Sequence, residues 1–370
     1  MNRIHPATYM GTGKLSEVKR AIDELDIDLV IANDELSQSQ LRNIGDYLNV
    51  RIIDRSQLIL DIFAMRAKTK DGKLQVELAQ LEYLLPRLQG QGTQLSRLGG
   101  GIGTRGPGET KLETDRRHIR RRITDIKRRL EQAVKQRDQY RKRRKMRDTY
   151  QIALVGYTNT GKSTIFNRLT DADSLEEDKL FATLDPLTRK LKFPSGFEAL
   201  ITDTVGFLQK LPTSLIAAFR STLEEVADAD FILHVVDASH SDQEQQQDTV
   251  FELLKELEAD RIPSLMVYNK KDKIEGAFLP MYHPHVLISA YEQEDLDNML
   301  FEMEKIFKEH WLPYAISVSP VEEKNIQRLI RGSIVEEQEF DPDTNQYVIK
   351  GYIREDHPLK SYVFKGEGKE

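Results

Sequence analysis

The sequence contains no cysteine, and this absence excludes several classes of protein at once. A chain without cysteine cannot form a disulfide-stapled scaffold, use a thiol nucleophile or bind zinc through thiolates, and it suits a reducing compartment. It also has no apolar run near the roughly 18 residues of a membrane-spanning helix, and no N-terminal signal pattern. These absences predict a cytoplasmic protein without a membrane segment.

Length and charge indicate several folded units, one of which carries most of the positive charge. A chain of 370 residues is longer than one hydrophobic core usually serves, and its 39% hydrophobic and 31% charged residues are typical of a globular protein. Segment 111–147 has 17 Lys/Arg against 5 Asp/Glu, a net charge of +12, which leaves -18 for the rest of a chain whose net charge is -6. One basic element on an acidic chain points to an anionic partner.

A phosphate-binding loop follows a short apolar strand near the middle of the chain. Gly156–Ser163 fits the pattern G-x-x-x-x-G-K-[ST], between the apolar run 152–155 and a segment with a helical apolar face. Its glycines let backbone N–H groups wrap an anion at a helix N-terminus, Lys162 adds a positive charge, and Ser163 can bind Mg²⁺. The predicted phosphate-loop residues are Gly156, Tyr157, Thr158, Asn159, Thr160, Gly161, Lys162, Ser163 and Thr164.

Further motifs follow downstream in the order that a GTP site requires. Asp203–Gly206 is D-x-x-G at a predicted strand end, which places a carboxylate near Mg²⁺ and a glycine N–H near the γ-phosphate. Segment 269–272 resembles the N-K-x-D motif of GTPases, whose Asp accepts from guanine N1 and N2 groups that adenine lacks. The predicted nucleotide-binding residues beyond the phosphate loop are Phe181, Ala182, Thr183, Asp203, Thr204, Val205, Gly206, Asn269, Lys270, Asp272, Ser289 and Ala290.

The alternation of strands and helices around these motifs predicts an α/β fold in four parts. Within the first part, 28–32 and 50–54 are predicted strands, and within the last part, 346–353 and 361–364 are predicted strands. The parts are a small α/β unit (1–56), a long antiparallel helical hairpin (57–149), a P-loop GTPase domain with a doubly wound, mostly parallel sheet (150–312), and a small α+β module (313–370).

The predicted hairpin combines a narrow apolar seam with a basic face. Leucines at coiled-coil spacing precede a glycine-rich tip at 95–110, and a matching seam runs through the basic helix at 111–147. The tip contains G-x-G-x-x-G, but no strand precedes it, so we reject a dinucleotide site; a flexible connection and a loop that approaches a negatively charged surface fit about equally. The arginines fit a solvated face or, better, structured RNA. The predicted RNA-binding residues are Arg97, Gly100, Gly101, Arg105, Arg116, Arg117, Arg120, Arg121, Arg141, Arg143 and Arg144.

Several further segments of the chain are distinctive: Asp34–Ser37, Asp54-Arg55, Gly72–Leu81, Leu95–Leu98, Gly106–Thr110, Asp115–Arg117 and Asp203–Phe207. Through these segments the chain resembles, from about Tyr9 to Trp311, the HflX family of ribosome-associated GTPases. The resemblance implies a monomer that binds the large ribosomal subunit in the GTP state, with its tip near the peptidyl transferase centre of 23S rRNA. It also implies the splitting of stalled or idle ribosomes after heat or antibiotic stress, and some members of the family confer antibiotic resistance.

The motif chemistry and the resemblance assign roles at the nucleotide. Lys162, Thr183 and Gly206 are the predicted catalytic residues; Ser163 and Thr183 are expected to bind Mg²⁺ directly, and Asp203 to bind it through water.

Two neighbouring positions bear on hydrolysis. Phe207 replaces a glutamine that orients water in many relatives, so we expect slow hydrolysis that a partner stimulates. Asn159 matches a K⁺ ligand of potassium-stimulated GTPases, which makes K⁺ a second candidate cofactor.

Two functions from other classes remain open at this point. The basic helix beside a phosphate loop also fits an RNA-remodelling ATPase, although segment 269–272 favours guanine. A nucleotide-dependent RNA-binding scaffold in ribosome assembly is the other alternative. Competition between ATP and GTP separates the first alternative from a GTPase, and loss of GTP-dependent binding on substitution of Lys162 separates the second.

Overall fold

The computed structural model of the protein describes residues 4–88, 107–146, 149–170, 186–207 and 225–364. For 107–112 and 136–146 the backbone alone is described. These residues form two compact units, the first of which ends at Lys135. Most of the predicted tip at 95–110 lies outside the described residues. Within the described ranges, no helix is long and apolar enough to cross a lipid bilayer.

The first unit begins with a small α/β fold, as its apolar runs predict. Its elements are α1 (Thr12–Leu25), β1 (Leu29–Ala32), α2 (Gln38–Leu48), β2 (Arg51–Asp54), α3 (Arg55–Arg66) and α4 (Lys70–Arg87). Strands β1 and β2 pair in parallel because α2 crosses over between them. The Ser37 hydroxyl caps α2, and Leu15, Ile22, Ile44 and Leu48 of α1 and α2 are buried. The expected strand, helix and strand therefore form at the predicted places.

Helix α5 (Pro107–Met146) is the basic helix that the charge distribution predicts. Ile126 is fully buried within a stripe at three- and four-residue spacing. Two ion pairs join α5 to α4: Arg122 donates to both carboxylate oxygens of Glu77 at 2.7 Å, and Lys127 Nζ lies 2.8 Å from Glu82. The partner five residues further along α5 pairs with the partner five residues further along α4, whereas antiparallel helices would pair in the opposite order. These two contacts therefore do not support an antiparallel arrangement, and the antiparallel hairpin stays a prediction.

The second unit contains the doubly wound sheet. Its elements are β3 (Tyr150–Val155), α6 (Lys162–Thr170), β4 (Leu187–Lys192), β5 (Glu198–Asp203), β6 (Phe231–Asp237), α7 (Gln243–Glu256), β7 (Ser264–Asn269), β8 (His285–Leu287) and α8 (Gln293–His310). The strand order is β4-β5-β3-β6-β7-β8, and every neighbouring pair is parallel except β4 and β5. Leu154 packs with α6 and α8 on one face, and Val155 packs with α7 on the other. The predicted motifs therefore follow the carboxyl ends of parallel strands, where α/β sheets bind ligands.

A small module completes the second unit. Its elements are β9 (Leu312–Val318), α9 (Glu323–Gly332), β10 (Ile334–Asp341), β11 (Gln346–Ile353) and α10 (Lys360–Val363). The three strands form an antiparallel sheet in the order β10-β11-β9, and the predicted strand at 346–353 is present. The strand predicted at 361–364 is wrong, because a helical turn forms there. The Val363 N–H donates to the Leu359 carbonyl at 2.9 Å and the Phe364 N–H to the Lys360 carbonyl at 3.0 Å, which are the i to i−4 hydrogen bonds of a helical turn.

The module shares a core with the doubly wound sheet. Ile334 belongs to the same buried cluster as Tyr150 and Trp311. The Tyr150 and Trp311 rings meet edge to face, with centroids 5.5 Å apart, and the Arg354 guanidinium lies 5.4 Å from the Tyr150 ring. The first strand of the sheet, the end of α8 and the module are therefore packed as one body.

Candidate functional site

The phosphate loop requires glycine at two positions because of its backbone shape and its close neighbours. Gly156 has φ +153°, and a Cβ there would lie 2.2 Å from the Val235 carbonyl oxygen. Gly161 has φ +95°, and a Cβ there would lie 2.2 Å from Asn269 Nδ2. Asn159 also has a positive φ, of 62°, a conformation that asparagine tolerates better than most residues. The loop is thus held against two neighbouring strands.

Lys162, the first residue of α6, is folded across this loop. Its Nζ donates to the carbonyl oxygens of Gly156 at 3.1 Å and Tyr157 at 2.7 Å. Burial lowers the pKa of Lys162 to about 8, against the opposing attraction of the Asp203 carboxylate. Among the described residues, both hydrogen-bond partners of this buried ammonium group are carbonyl oxygens, so the group has strong affinity for an anion, as a phosphate-binding lysine requires.

A hydroxyl and a carboxylate stand together where the magnesium side of the site is predicted. Ser163 Oγ donates to Asp203 Oδ2 at 2.7 Å. The oxygen donors fit Mg²⁺, which is usually bound by one or two protein oxygens together with phosphate oxygens and water. The structure therefore brings together two of the three predicted magnesium residues; the third, Thr183, lies outside the described residues together with Phe181 and Ala182.

The D-x-x-G segment is joined to the phosphate loop by backbone hydrogen bonds. Phe207 N–H donates to the Gly156 carbonyl at 3.1 Å, and Thr158 N–H donates to the Phe207 carbonyl at 2.9 Å. A Cβ at Gly206 would lie 2.9 Å from Thr158 Cα, so a larger residue would displace the loop. The ring of Phe207 is 1% exposed and packs with Val155 in the core. Its side chain therefore belongs to the apolar core beside β3.

Asn269 connects the phosphate loop to the end of β8. Its Nδ2 donates to the Thr160 carbonyl at 2.8 Å, and its Oδ1 accepts from Ala290 N–H at 3.0 Å. The side chain is 2% exposed, so both hydrogen bonds are shielded from water. One asparagine thus fixes the spacing between the predicted phosphate and guanine ends of the site.

A cavity of 280 Å³ lies at the predicted guanine end, where Asp272 and Ser289 line it. Ser289 Oγ donates to Asp272 Oδ1 at 2.9 Å, which orients the carboxylate that is predicted to read guanine. Lys270 pairs with Asp237 at 2.7 Å, a partner that the sequence analysis missed. Burial raises the pKa of Asp237, but hydrogen bonds from Lys270 and Ser239 outweigh burial and lower its pKa below the ordinary value. Its position at the carboxyl end of β6 was the available signal.

The remaining predicted loop residues lie on these same segments. Thr158 and Thr160 are buried in the loop, Thr164 follows in the first turn of α6, and the Thr204 hydroxyl donates to the Leu154 carbonyl. Val205 is buried between Asp203 and Gly206. The described parts of the four motifs thus converge on one edge of the sheet.

The predicted RNA-binding arginines are placed in part. On α5, Arg117, Arg120 and Arg121 are exposed and have no ion-pair partner among the described residues, whereas Arg116 is half-buried. Arg128 and Arg129 differ, because both pair with Asp125. Side chains of Arg141, Arg143 and Arg144 on α5 are not described, and Arg97, Gly100, Gly101 and Arg105 lie outside the described residues.

Three family models match the chain. They are described as "GTP-binding GTPase N-terminal" over residues 1–64, "GTP-binding GTPase Middle Region" over 66–144, and "50S ribosome-binding GTPase" over 151–270. Together they cover every predicted nucleotide-binding or RNA-binding residue apart from Asp272, Ser289 and Ala290.

Relatives of known description match over most of the chain. GTPase HflX of Alkalihalophilus pseudofirmus is 53% identical, over 98% of this chain and 86% of its own length. GTPase HflX of Caldanaerobacter subterraneus subsp. tengcongensis is 51% identical, over 91% of this chain and 79% of its own. A solved structure of a GTP-binding protein from Sulfolobus solfataricus in complex with GDP is 24% identical with a TM-score of 0.45, over 83% of this chain and 88% of its own.

Identity above one half over nearly the whole chain accompanies motifs that meet at one edge of a doubly wound sheet. The chain belongs to the HflX family of GTPases and is a GTP-hydrolysing enzyme.

Proposed function

We propose that the protein binds GTP with Mg²⁺ at this edge and uses the nucleotide cycle to bind the large ribosomal subunit and split stalled or idle ribosomes. The nucleotide part rests on Asn269, whose two buried hydrogen bonds hold the Thr160 and Ala290 segments together. The ribosomal part rests on the exposed arginines of α5, on the description of the matching family model as 50S ribosome-binding, and on the family itself.

Each residue of the proposed site has a separate role in binding GTP and Mg²⁺. Lys162 would exchange its two carbonyl partners for the β- and γ-phosphates, which are stronger acceptors. Ser163 and Thr183 would hold Mg²⁺ directly and Asp203 through water, and bound Mg²⁺ would neutralise charge on the phosphates. Gly206 N–H would sense the γ-phosphate, and Asp272 would accept from the guanine N1 and N2 groups. Asn159 is the proposed ligand for K⁺.

The residue directly after D-x-x-G, Phe207, cannot orient the attacking water molecule. The Phe207 ring is buried and apolar, so it cannot hold a water molecule in line with the γ-phosphate. Intrinsic hydrolysis is therefore slow, and the ribosome stimulates it by completing the site.

The basic helix α5 supplies the RNA contacts. Arg117, Arg120 and Arg121 carry charge that no carboxylate in the described chain compensates, and phosphate groups stabilise such clusters. We place the glycine-rich tip beside 23S rRNA near the peptidyl transferase centre, where it wedges the subunits apart. The protein acts as a cytoplasmic monomer in stress rescue, and contact near that centre would also support antibiotic resistance.

The alternative functions make different predictions. An RNA-remodelling ATPase would let ATP displace labelled GTP as well as unlabelled GTP does. A nucleotide-dependent scaffold would keep its ribosome binding after Lys162→Ala. The proposal instead predicts that ATP fails to compete and that Lys162→Ala abolishes GTP-dependent binding.

The first experiment measures GTP hydrolysis by the purified protein with and without large ribosomal subunits, at matched salt. Stimulation of about tenfold, equivalent to about 1.4 kcal/mol of barrier, is expected. If hydrolysis is unchanged while GTP still binds, the arginine helix serves another RNA and the ribosomal part of the proposal fails.

The second experiment tests the arginine face and the tip separately. Replacing Arg117, Arg120 and Arg121 with Gln should weaken subunit binding and flatten its salt dependence, since each lost phosphate contact removes counterion release. The control replaces Arg128, Arg129 and Lys135 with Gln, which removes equal charge from the same helix. Deletion of 99–108 should preserve GTP binding but abolish splitting in sucrose gradients. Splitting by the deletion variant would contradict the wedge.

A further inference from the structure

One carboxylate outside the predicted motifs holds the two guanine-side loops together. Asp295, in the first turn of α8, accepts from Ser289 N–H at 2.7 Å through Oδ2. Its Oδ1 accepts from Lys271 Nζ, also at 2.7 Å. Lys271 belongs to the N-K-x-D segment and Ser289 to the segment after β8, so Asp295 bridges both loops. The Asp295 carboxylate is only 16% exposed, which strengthens both contacts relative to surface pairs.

Ser289 connects Asp295 to Asp272, the carboxylate that is proposed to bind guanine. Ser289 is 2% exposed, and its hydroxyl donates to Asp272 Oδ1 at 2.9 Å. Fixing Ser289 N–H therefore fixes the position from which Ser289 Oγ orients Asp272. The Lys271 N–H also donates to the Ile288 carbonyl at 3.0 Å, so the backbones of the two loops are already in register. Asp295 additionally fixes the backbone at Ser289 by accepting from its N–H.

We propose that Asp295 is a positioning residue for guanine recognition, acting through Ser289 on the orientation of Asp272. This inference rests on the proposed GTP site, because it assigns the cavity beside Asp272 to the base. Its contact with Ser289 N–H carries the effect, and its ion pair with Lys271 is secondary, since Lys271 is half-exposed. The role differs from simple helix stabilisation, because it changes discrimination between bases and not only affinity.

The test compares binding of GDP with binding of inosine diphosphate, which lacks the N2 amino group that Asp272 accepts from. Isothermal titration should give Asp295→Ala about tenfold weaker GDP binding and a preference for GDP over inosine diphosphate at least threefold smaller. Asp295→Asn retains an oxygen that accepts from Ser289 N–H, so it should keep the native preference. Lys271→Gln should also keep it, whereas Ser289→Ala should lose preference as Asp295→Ala does.

Controls separate this inference from the site on which it rests. Asp297→Ala removes an exposed carboxylate two residues further along α8 and should leave both affinities unchanged. If the native protein shows no preference for GDP, or Asp272→Ala retains it, the proposed guanine site fails. If Asp272→Ala loses the preference but Asp295→Ala and Ser289→Ala retain it, only the role of Asp295 is overturned. A lower melting temperature with an unchanged preference also overturns that role.

Discussion

Asn269→Ala should uncouple the two ends of the nucleotide site. The substitution leaves the Thr160 carbonyl and the Ala290 N–H without their partner, at a position that is 2% exposed. Each buried polar group that loses its partner costs about 1–3 kcal/mol, and two such groups set an upper range of about 6 kcal/mol. Water that enters the space left by the side chain will recover part of this, so we expect about 2–4 kcal/mol.

Two measurements check this magnitude. Urea unfolding without nucleotide should show the loss in the second unit, and GDP binding should weaken at least tenfold because both loops must be ordered on binding. Asn269→Asp keeps an acceptor for Ala290 N–H but turns a carboxylate oxygen towards the Thr160 carbonyl, so it should be at least as damaging. Asn298→Ala, an exposed asparagine on α8, is the matched control. A loss below 1 kcal/mol with native GDP affinity would refute the reasoning.

Three further predictions follow from single side chains. Phe207→Gln should not raise GTP hydrolysis, and it should lower the free energy of unfolding by about 2–4 kcal/mol, because the amide would be buried in an apolar cluster. Phe207→Leu is the control. Faster GTP hydrolysis by Phe207→Gln would contradict the burial. Because burial lowers the pKa of Lys162 to about 8, the free protein loses this charge above pH 8 and bound phosphate restores it. GDP binding at pH 9 should therefore take up a proton, which calorimetry in two buffers detects, and GDP affinity should fall as pH rises through 8. Lys162→Arg should bind GDP without proton uptake. Absence of proton uptake by the native protein would contradict this prediction. Asp54→Ala should destabilise the first unit by about 3 kcal/mol without changing GDP affinity, because a fully buried carboxylate is removed. This carboxylate accepts hydrogen bonds from Leu36 N–H, Gln57 N–H, the Tyr83 hydroxyl and the Arg87 guanidinium. Weaker GDP binding by the variant would contradict the prediction.

Local pattern was sufficient where one short segment contains the whole feature. The phosphate loop, the strand ends and the basic helix each lie in contiguous sequence, so spacing and composition predicted them. The Lys270–Asp237 and Lys271–Asp295 pairs join segments that are distant along the chain, and no local pattern indicates such partners. The strand predicted at 361–364 was wrong because four residues are too short for their apolar pattern to separate a strand from a helical turn. The hydrogen bond from Val363 N–H to the Leu359 carbonyl, which identifies the turn, involves a residue outside that segment.

Phe207 shows a different limit. Its place after D-x-x-G indicates what it cannot do, but only the packing shows where its ring lies. Burial against Val155 makes it part of the core that supports the loop, so its apolar character has a structural cause as well as a catalytic consequence.

The shared core of the module and the doubly wound sheet affects how this protein can be divided. The predicted boundary at 312/313 falls after the first residue of β9, and Tyr150, Trp311 and Ile334 lie in one buried cluster across it. A shortened protein that ended there would expose aromatic surface at the first strand of the GTPase sheet and would be prone to aggregation. The smallest soluble nucleotide-binding fragment therefore extends to the end of the module, and insertions that separate the two parts are expected to be poorly tolerated.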